Sequence, residues 1–487
     1  MSHSVPSRPQ MDVQVERKFV PKQKDLGADV TWAKINKDVL KSLEKPRPVF
    51  WVIFFSALAL FSFGVYCEVY QYQNGMGVSD LNNPQVWGLY IATFIFWIGM
   101  GHSGTLLSAL LHIIHADWRK PIYRYSEAMT TFTLLTAALF VLVHMGRLWQ
   151  FYYVVAYPNE RWTWPNFTSP LVWDATAIGT YLTSSLLFLY MGMIPDLAIC
   201  RDNARGARRA LYRFLSMGWQ GTDRQWANFK VAYMTMACFL MPLAVSVHSI
   251  VSTDFAVSQN PGWHVTSFPP YFVLGALYSG CSGIITLFIV LRYVFRFEAY
   301  MTQPILNKLI KMTFAIAMVW TYLDLIEYAT TWYGSDEVAK ADLIYRATGD
   351  YALQFWGMIF CAMVMPFTLL IRFVRTNYTT LLIISLILNV GMWLERFQII
   401  TPTFAKSHYP WLWTAGWWPS WVQWGIVAGS FGWFTMLFML YCKIFPSVSM
   451  YEVKEMVHEQ NMEEKAHATQ TEVHETGLLP EMEGGQA

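Results

Sequence analysis

The feature that most constrains this chain is a succession of apolar runs, each long enough to cross a bilayer. They cover 50–70, 87–114, 128–155, 170–193, 228–251, 269–296, 309–332, 352–374, 378–399 and 422–445, numbered here as spans 1 to 10. A helix of about 20 apolar residues crosses the hydrocarbon core, where every backbone polar group must be satisfied within the structure. The expected fold is an all-α polytopic membrane protein with about ten transmembrane helices. Several spans exceed the minimum length, which permits tilt. Pro242 and Pro366 lie inside spans and predict kinks, because neighbouring helices can take up the freed backbone groups. The composition agrees, with 14% charged residues against about 25% in soluble domains. The 23 tryptophans and 26 tyrosines suit a protein with two membrane interfaces.

A net charge of +2 creates no field that would draw nucleic acid. The six cysteines form no C-x-x-C or C-x-x-C-H pattern, so the sequence gives no basis for a covalent haem, a thiolate iron–sulfur cluster or a zinc knuckle. The first apolar run has no small-residue cleavage site and reads as a retained helix.

Charge placement sets the expected orientation. Residues 1–49 bring Lys34, Lys37, Lys41, Lys45 and Arg47 to one side, and the loop after span 4 brings Arg201, Arg205, Arg208, Arg209, Arg213 and Arg224. With the loops after spans 2, 6 and 8, that side holds twenty lysines and arginines. The other side holds five: Arg161, Lys340, Arg346, Arg396 and Lys406. Both termini are thus expected in the cytoplasm of a bacterium, with the membrane domain at 50–445 in the inner membrane. The acidic tail at 446–487 reads as a mobile cytoplasmic extension or docking strand.

An internal repeat is visible. Gly101-His102-Ser103-Gly104 in span 2 recurs 179 residues later as Gly280-Cys281-Ser282-Gly283 in span 6. The same offset brings His144 beside Asp324 and Asp174 close to Asp350. Spans 2–5 (87–251) and 6–9 (269–399) therefore read as two related four-helix bundles, flanked by spans 1 and 10. Parallel repeats of this kind recur in membrane proteins. For the glycines themselves, close helix packing is the expected role.

Ionisable groups inside a membrane are costly and mark function by default. Here they gather in the outer leaflet: His144 and Arg147 in span 3, Asp174 opening span 4, and His248 and Asp254 closing span 5. Asp324 and Glu327 in span 7 and Glu395 and Arg396 in span 9 lie at similar depth, as does Glu68 closing span 1. The inner half has chiefly His112, His115 and Glu127. A histidine and a carboxylate within reach of one ligand can accept two protons as that ligand loses two electrons, the requirement for oxidising a quinol. His144 is the natural first acceptor, because imidazole titrates near physiological pH. Asp174 would be the second acceptor or would orient the imidazole. Arg147 or Arg396 would hold Asp174 ionised or stabilise an anionic quinone species. Trp173 would wall the slot, and His248, Asp254, Asp324, Glu327 and Glu395 are proton-path candidates.

Other readings stay open at this level. His102 and His248 could simply bond across helices, Glu68 could be a solvated interfacial group, and Asp174–Arg147 or Glu395–Arg396 could be structural ion pairs. His102, His144 and His248 are the deep histidines, yet no helix carries the spaced pair that stacked haems need. A proton-translocating subunit without quinone, or a secondary transporter, would use the same carboxylates.

Five stretches carry a resemblance: Gly101-His102-Ser103-Gly104-Thr105-Leu106; His144-Met145-Gly146-Arg147; Trp164-Pro165-Asn166-Phe167 with Ser169-Pro170-Leu171-Val172-Trp173-Asp174; Asp254-Phe255-Ala256; and Pro261-Gly262-Trp263-His264. Together they resemble the NrfD/PsrC-type quinone-interacting membrane subunits, in particular those of alternative complex III, and the ActC-type more than the ActF-type paralogue. The resemblance covers nearly the whole chain apart from its polar ends. It implies a quinol-binding platform, for menaquinone or ubiquinone, with no redox centre of its own and no metal. His144 and Asp174 would form the quinol site, with Asp254 and Arg396 nearby. It also implies a docked iron–sulfur subunit on the outer face, c-type cytochrome subunits, a paralogous ten-helix subunit and membrane lipids as partners, and a proton route through the bundles.

Overall fold

A computed structural model describes residues 25–27, 30–155, 157, 167–258, 260, 262–263, 265–334, 336–405 and 416–462. Among them there is no strand, and ten helices are long and apolar enough to cross a membrane. The protein is an all-α, multi-pass membrane protein. A short amphipathic helix, α1 (Trp32–Glu44), precedes α2 (Val49–Asn74), α3 (Gly88–Ile113), α4 (Tyr123–Met145) and α5 (Pro170–Asn203). Then come α6 (Gly206–Leu215), α7 (Asp223–Ala256), α8 (Phe268–Val294), α9 (Gln303–Tyr333) and α10 (Glu337–Thr348). The eighth crossing starts as α11 (Ala352–Met358), and α12 (Arg372–Thr376), α13 (Tyr378–Ala405) and α14 (Trp421–Ile444) follow it. The end bearing α1, α6 and residues 450–462 is called proximal here, and the other end distal.

Helices α3, α4, α5 and α7 pack together, as do α8, α9, α11 and α13, while α2 lies along α14. Between the two groups α3 meets α8. Lipid tails are as apolar as leucine, so helices associate in a membrane through close packing and not through hydrophobic exclusion. Small residues supply that packing here. A Cβ on Gly280 of α8 would collide with the Ser103 side chain of α3, so the two copies of the repeated motif press directly on each other. A Cβ on Gly104 would strike the Ser126 carbonyl of α4, and one on Gly429 of α14 would lie 2.5 Å from Gly64 Cα of α2.

Three expectations change. Span 3 was expected to run to 155, but α4 ends at Met145, because Gly146 turns left-handed with φ 66°. The rest of that apolar run forms a separate 3-10 segment, Leu148–Val154. Of the two prolines, Pro242 stays within an unbroken α7, whereas the winding changes around Pro366, through a π segment (Ile359–Val364) to a 3-10 segment (Met365–Leu370). Proline offers no N–H to the carbonyl four residues back. That carbonyl, on Ala362, accepts instead from Tyr278 Oη of α8 at 3.0 Å.

The third change concerns the tail, whose described part is neither strand-like nor free. Residues 450–462 are helical, and Met450, Val453, Met456 and Val457 are buried at helical spacing. Its polar anchors are equally specific. Fully buried Arg124 of α4 binds Asp196 of α5 at 2.9 Å, and Asp196 also accepts from Ser449 Oγ and the Tyr451 amide, each at 3.1 Å. Arg119, 4% exposed, pairs with Glu452, 3% exposed, at 2.9 Å. Burial alone would lower the Arg119 pKa, but Glu452 together with Tyr233, Tyr123 and Tyr451 outweighs it and the net shift is upward. Removing one partner of a buried pair strands the other charge, at a cost of about 3–5 kcal/mol. Glu452→Ala is therefore expected to raise deuterium uptake across 450–462 while the α3–α8 seam stays protected; unchanged uptake in the tail would reject the clamp.

Candidate functional site

The site is built around α3, the most deeply buried spanning helix. Its His102 donates from Nδ1 to the Ile98 carbonyl at 2.8 Å, which leaves Nε2 facing its neighbours. The imidazole stacks on Tyr181 of α5, with centroids 4.6 Å apart and planes within 7°. Tyr181 Oη in turn donates to the His102 carbonyl at 3.0 Å. On the other side lies His248 of α7, again 4.6 Å between ring centroids. His102 Nε2 and both ring nitrogens of His248 are buried without a hydrogen-bond partner in the protein.

Six residues beyond His248, about 9 Å along the helix, α7 presents Asp254. Seven residues before Tyr181, α5 presents Asp174. These two carboxyl groups lie in electrostatic contact with each other, and Oδ1 of each is buried without a hydrogen-bond partner. Local sequence explains the placement: Ser169 is extended as N-cap, Pro170 opens the helix, and Asp174 falls in its second turn. The adjacent Trp173 is 42% exposed and donates from Nε1 to the Phe167 carbonyl at 2.7 Å, fastening the turn before α5.

His144 occupies the last turn of α4, with Nδ1 buried and unpartnered. Next to it, the Val143 carbonyl accepts from Gln71 of α2 at 3.4 Å, and Gln71 also bonds the Tyr90 hydroxyl. Glu68 of α2 lies in electrostatic contact with Tyr90 and keeps Oε2 buried and unpartnered. These groups mark the distal ends of α2 and α3 at the level of His144, and no described hydrogen bond joins His144 to Asp174. Arg147, just past Gly146, is exposed. Arg396 is buried in a slot left by Gly99 and Gly275, lies over the Phe272 ring at 5.2 Å and pairs with adjacent Glu395. Asp174 thus meets a carboxyl, and no arginine among the described contacts, where sequence reasoning paired it with Arg147 or Arg396. Arg396 is instead in electrostatic contact with His248.

A second polar cluster fills the distal half of the other bundle. Asp324 and Glu327 of α9 are buried, with Tyr271 and Tyr328 beside Asp324. The short helix α10 closes this end and sends in Arg346, which binds Asp342 at 2.6 Å and Thr403 at 2.7 Å. Burial raises the Asp342 carboxyl above the usual range, although Arg346 pulls the other way. For Arg346, burial is the largest single influence, but Asp342, Glu327 and Tyr328 together outweigh it, and the net shift is upward. Gly262, at φ 77°, leaves room for this pair: a Cβ would lie 3.0 Å from Asp342 Oδ2. Trp263 donates to the Ile399 carbonyl at 2.8 Å and stacks on Trp87. The Gly262-Trp263 element is thus structural, while Pro261, His264 and residues 158–166 lie outside the described residues.

Sequence reasoning placed His112 and Glu127 in the inner half without a role, and missed Ser108 and Tyr233, which link them toward the proximal end of the first bundle. Ser108 donates to Glu127 at 2.6 Å, and Tyr233 donates to the same carboxyl at 3.0 Å. Tyr233 meets the His112 ring at 5.0 Å, and His112 Nδ1 is 2.6 Å from Arg119. His112, Arg119, Tyr233 and Glu452 line an open cleft of about 1080 Å³ at the proximal end. The available signal was Ser108 four residues before His112 on a glycine-containing, apolar span. Among the described residues no cluster of histidine, cysteine or carboxylate groups could hold a metal ion.

The family model for polysulphide reductase, NrfD, matches residues 77–406. A provisionally named membrane subunit of a dimethyl sulfoxide reductase from Halobacterium salinarum is 28% identical over 49% of this chain, which spans about half (51%) of that protein's length. A selenate reductase subunit of Mesobacillus selenatarsenatis is 21% identical, over 81% of this chain and 94% of its own. An Hdr-like menaquinol oxidoreductase integral membrane subunit of Archaeoglobus fulgidus is 22% identical, over 86% of this chain and 99% of its own. With the match covering its core from the segment after α2 to the end of α13, the chain belongs to the polysulphide reductase NrfD family.

Proposed function

We propose that this chain is the quinol-binding and quinol-oxidising membrane subunit of a respiratory quinol:electron-acceptor oxidoreductase, of the ActC type found in alternative complex III. The observation that carries this reading is the buried Asp174–Asp254 carboxyl pair, which shares its end of the membrane domain with the unpartnered Nδ1 of His144. The relative named as a menaquinol oxidoreductase subunit supports the substrate class. Quinol oxidation releases two electrons and two protons. His144 takes one proton at its free nitrogen, and the remaining carboxylate of the pair takes the other. Two carboxyl groups in contact already keep one proton between them and leave one carboxylate to accept. The electrons pass to an iron–sulfur subunit docked on the distal face and then to c-type cytochromes, with a paralogous ten-helix subunit alongside. The distal face is the outer side of a bacterial inner membrane, so both protons leave there and both termini are cytoplasmic.

A second reading rests on the polar column itself. Asp254, His248, His102, Tyr181, Ser108, Glu127, Tyr233 and His112 follow one another through the first bundle toward the proximal cleft, which suits a proton-translocating subunit. The two readings predict different variants to matter. In the assembled complex, with every subunit verified as present, Asp174→Asn and His144→Ala are each expected to lower quinol:cytochrome c turnover about 10²–10⁴-fold, the usual worth of a positioned proton acceptor. Near-normal turnover in both would remove quinol chemistry from this end of α4 and α5. Glu127→Gln is expected to leave turnover within about twofold when no membrane potential opposes it. A loss as large as that of Asp174→Asn would shift the assignment to proton translocation.

A further inference from the structure

Helix α6 reverses the usual arrangement of an amphipathic helix on a protein. Such a helix ordinarily buries its apolar stripe and exposes its charges. In α6 the residues Ala207, Ala210, Leu211 and Phe214 recur at i, i+3, i+4 and i+7, and all four are exposed, Phe214 at 80%. Met217, just beyond the helix, is 72% exposed. The one buried residue of the helix, Tyr212, lies on the opposite side and donates from Oη to the Ile444 carbonyl at 2.7 Å.

The position of α6 says what faces that stripe. Ile444 is the last residue of the spanning helix α14, so Tyr212 is pinned at the level where the apolar crossing ends. The Leu215 carbonyl, closing α6, accepts from Tyr190 Oη of α5 at 2.6 Å. Tyr190 lies thirteen residues before the end of α5, about 20 Å back along it. α5 therefore projects beyond the bilayer and α6 folds back along it, bringing Phe214 and Met217 to the membrane surface. Charge supports the same placement. Arg205, Arg208, Arg209 and Arg213 are exposed, and no ion pair is formed by any of them among the described residues. Arg208 is in electrostatic contact with Lys443 of α14, whose Nζ is held 2.8 Å from the Glu44 carbonyl. Two cations held together at the membrane level, with the Glu44 side chain as their nearby acid, call for an anion between them.

We propose that α6 is a membrane-surface helix that binds an anionic phospholipid of the proximal leaflet. Leu211, Phe214 and Met217 enter the acyl boundary, and Arg208 with Lys443 holds the headgroup phosphate, while Arg213 borders the stripe on its other side. Exposed apolar residues flanked by arginines are the pattern of helices that lie in an interface and prefer anionic lipid.

The test uses the full chain in its complex, placed in nanodiscs of phosphatidylcholine with or without phosphatidylglycerol. Native mass spectrometry of the released complex is expected to show retained phosphatidylglycerol. Arg208→Gln and Lys443→Gln should each lower that retention about fivefold, the factor that ~1 kcal/mol per basic residue gives. Both side chains lie outside the core, so melting should match the parent. A nitroxide at Phe214→Cys, with Cys238→Ser removing the exposed native thiol, is expected to collide with oxygen and not with an aqueous nickel chelate. Unchanged phosphatidylglycerol retention in both glutamine variants, or a nitroxide open to the nickel chelate, overturns the proposal. A nitroxide shielded from both reagents also overturns it, because another protein would then cover the helix.

Discussion

The close approach of α3 to α8 is the contact on which the rest of the structure depends. In lipid no hydrophobic force draws helices together, so a central helix must be gripped by packing alone. The grip is direct: Gly280 has no side chain because Ser103 occupies that space, and Gly104 has none because the Ser126 carbonyl of α4 does. With α3 held on both sides, its polar residues His102, Thr105 and Ser108 are interior by construction. His102 meets α5 through Tyr181 and α7 through His248. The helices that carry Asp174 and Asp254 are thereby fixed against the same core.

That arrangement shows why some features could be read from sequence and others could not. Hydropathy reports the length of an apolar run, so all ten crossings were visible, as was the 179-residue repeat between the motifs that now touch. Depth follows from position within a run, and Asp174 and Asp254 were correctly expected at one end. Azimuth does not follow from either. The pairing of Asp174 with Asp254, and not with an arginine, depends on how α5 rotates against α7, and Arg396 is diverted into a slot that exists because Gly99 and Gly275 lack side chains. The glycine at 146 ends α4 while the apolar run continues, which a hydropathy average cannot register. Residues 450–462 looked like a mobile tail because their charges dominate the composition, yet the buried Met450, Val453, Met456 and Val457 carry the helical period.

The two bundles treat buried charge differently despite their common plan. In the second, α10 inserts Arg346 beside Asp342, Glu327 and Asp324, so a cation already answers the carboxylates. In the first, the carboxyl pair and the two histidines lack such a cation among their described hydrogen bonds and ion pairs. A buried polar atom left unmatched costs about 1–3 kcal/mol, and His102 Nε2, both His248 nitrogens, His144 Nδ1 and Oδ1 of Asp174 and Asp254 are all in that position. Native interiors do not carry such a set without return. The second bundle also leaves atoms unmatched, Asp324 Oδ2, Asp342 Oδ1 and Arg346 Nε among them, but beside a cation. The first bundle's set instead gathers histidine nitrogens and carboxyl oxygens, the atom types that exchange protons.

The geometry also constrains where those protons can go. The Asp174–Asp254 pair lies about six residues nearer the distal end than His248, and the histidine pair lies between it and Glu127. A proton accepted at the carboxyl pair therefore has a short exit at the distal end and a long route inward that must pass two adjacent imidazoles near Arg396. A second positive charge beside Arg396 in this low-dielectric interior is disfavoured, and Tyr181, packed flat on His102, leaves little room for the ring to turn away. On the proposed quinol-oxidising reading, the histidine pair would therefore separate the carboxyl pair from the proximal half of the column.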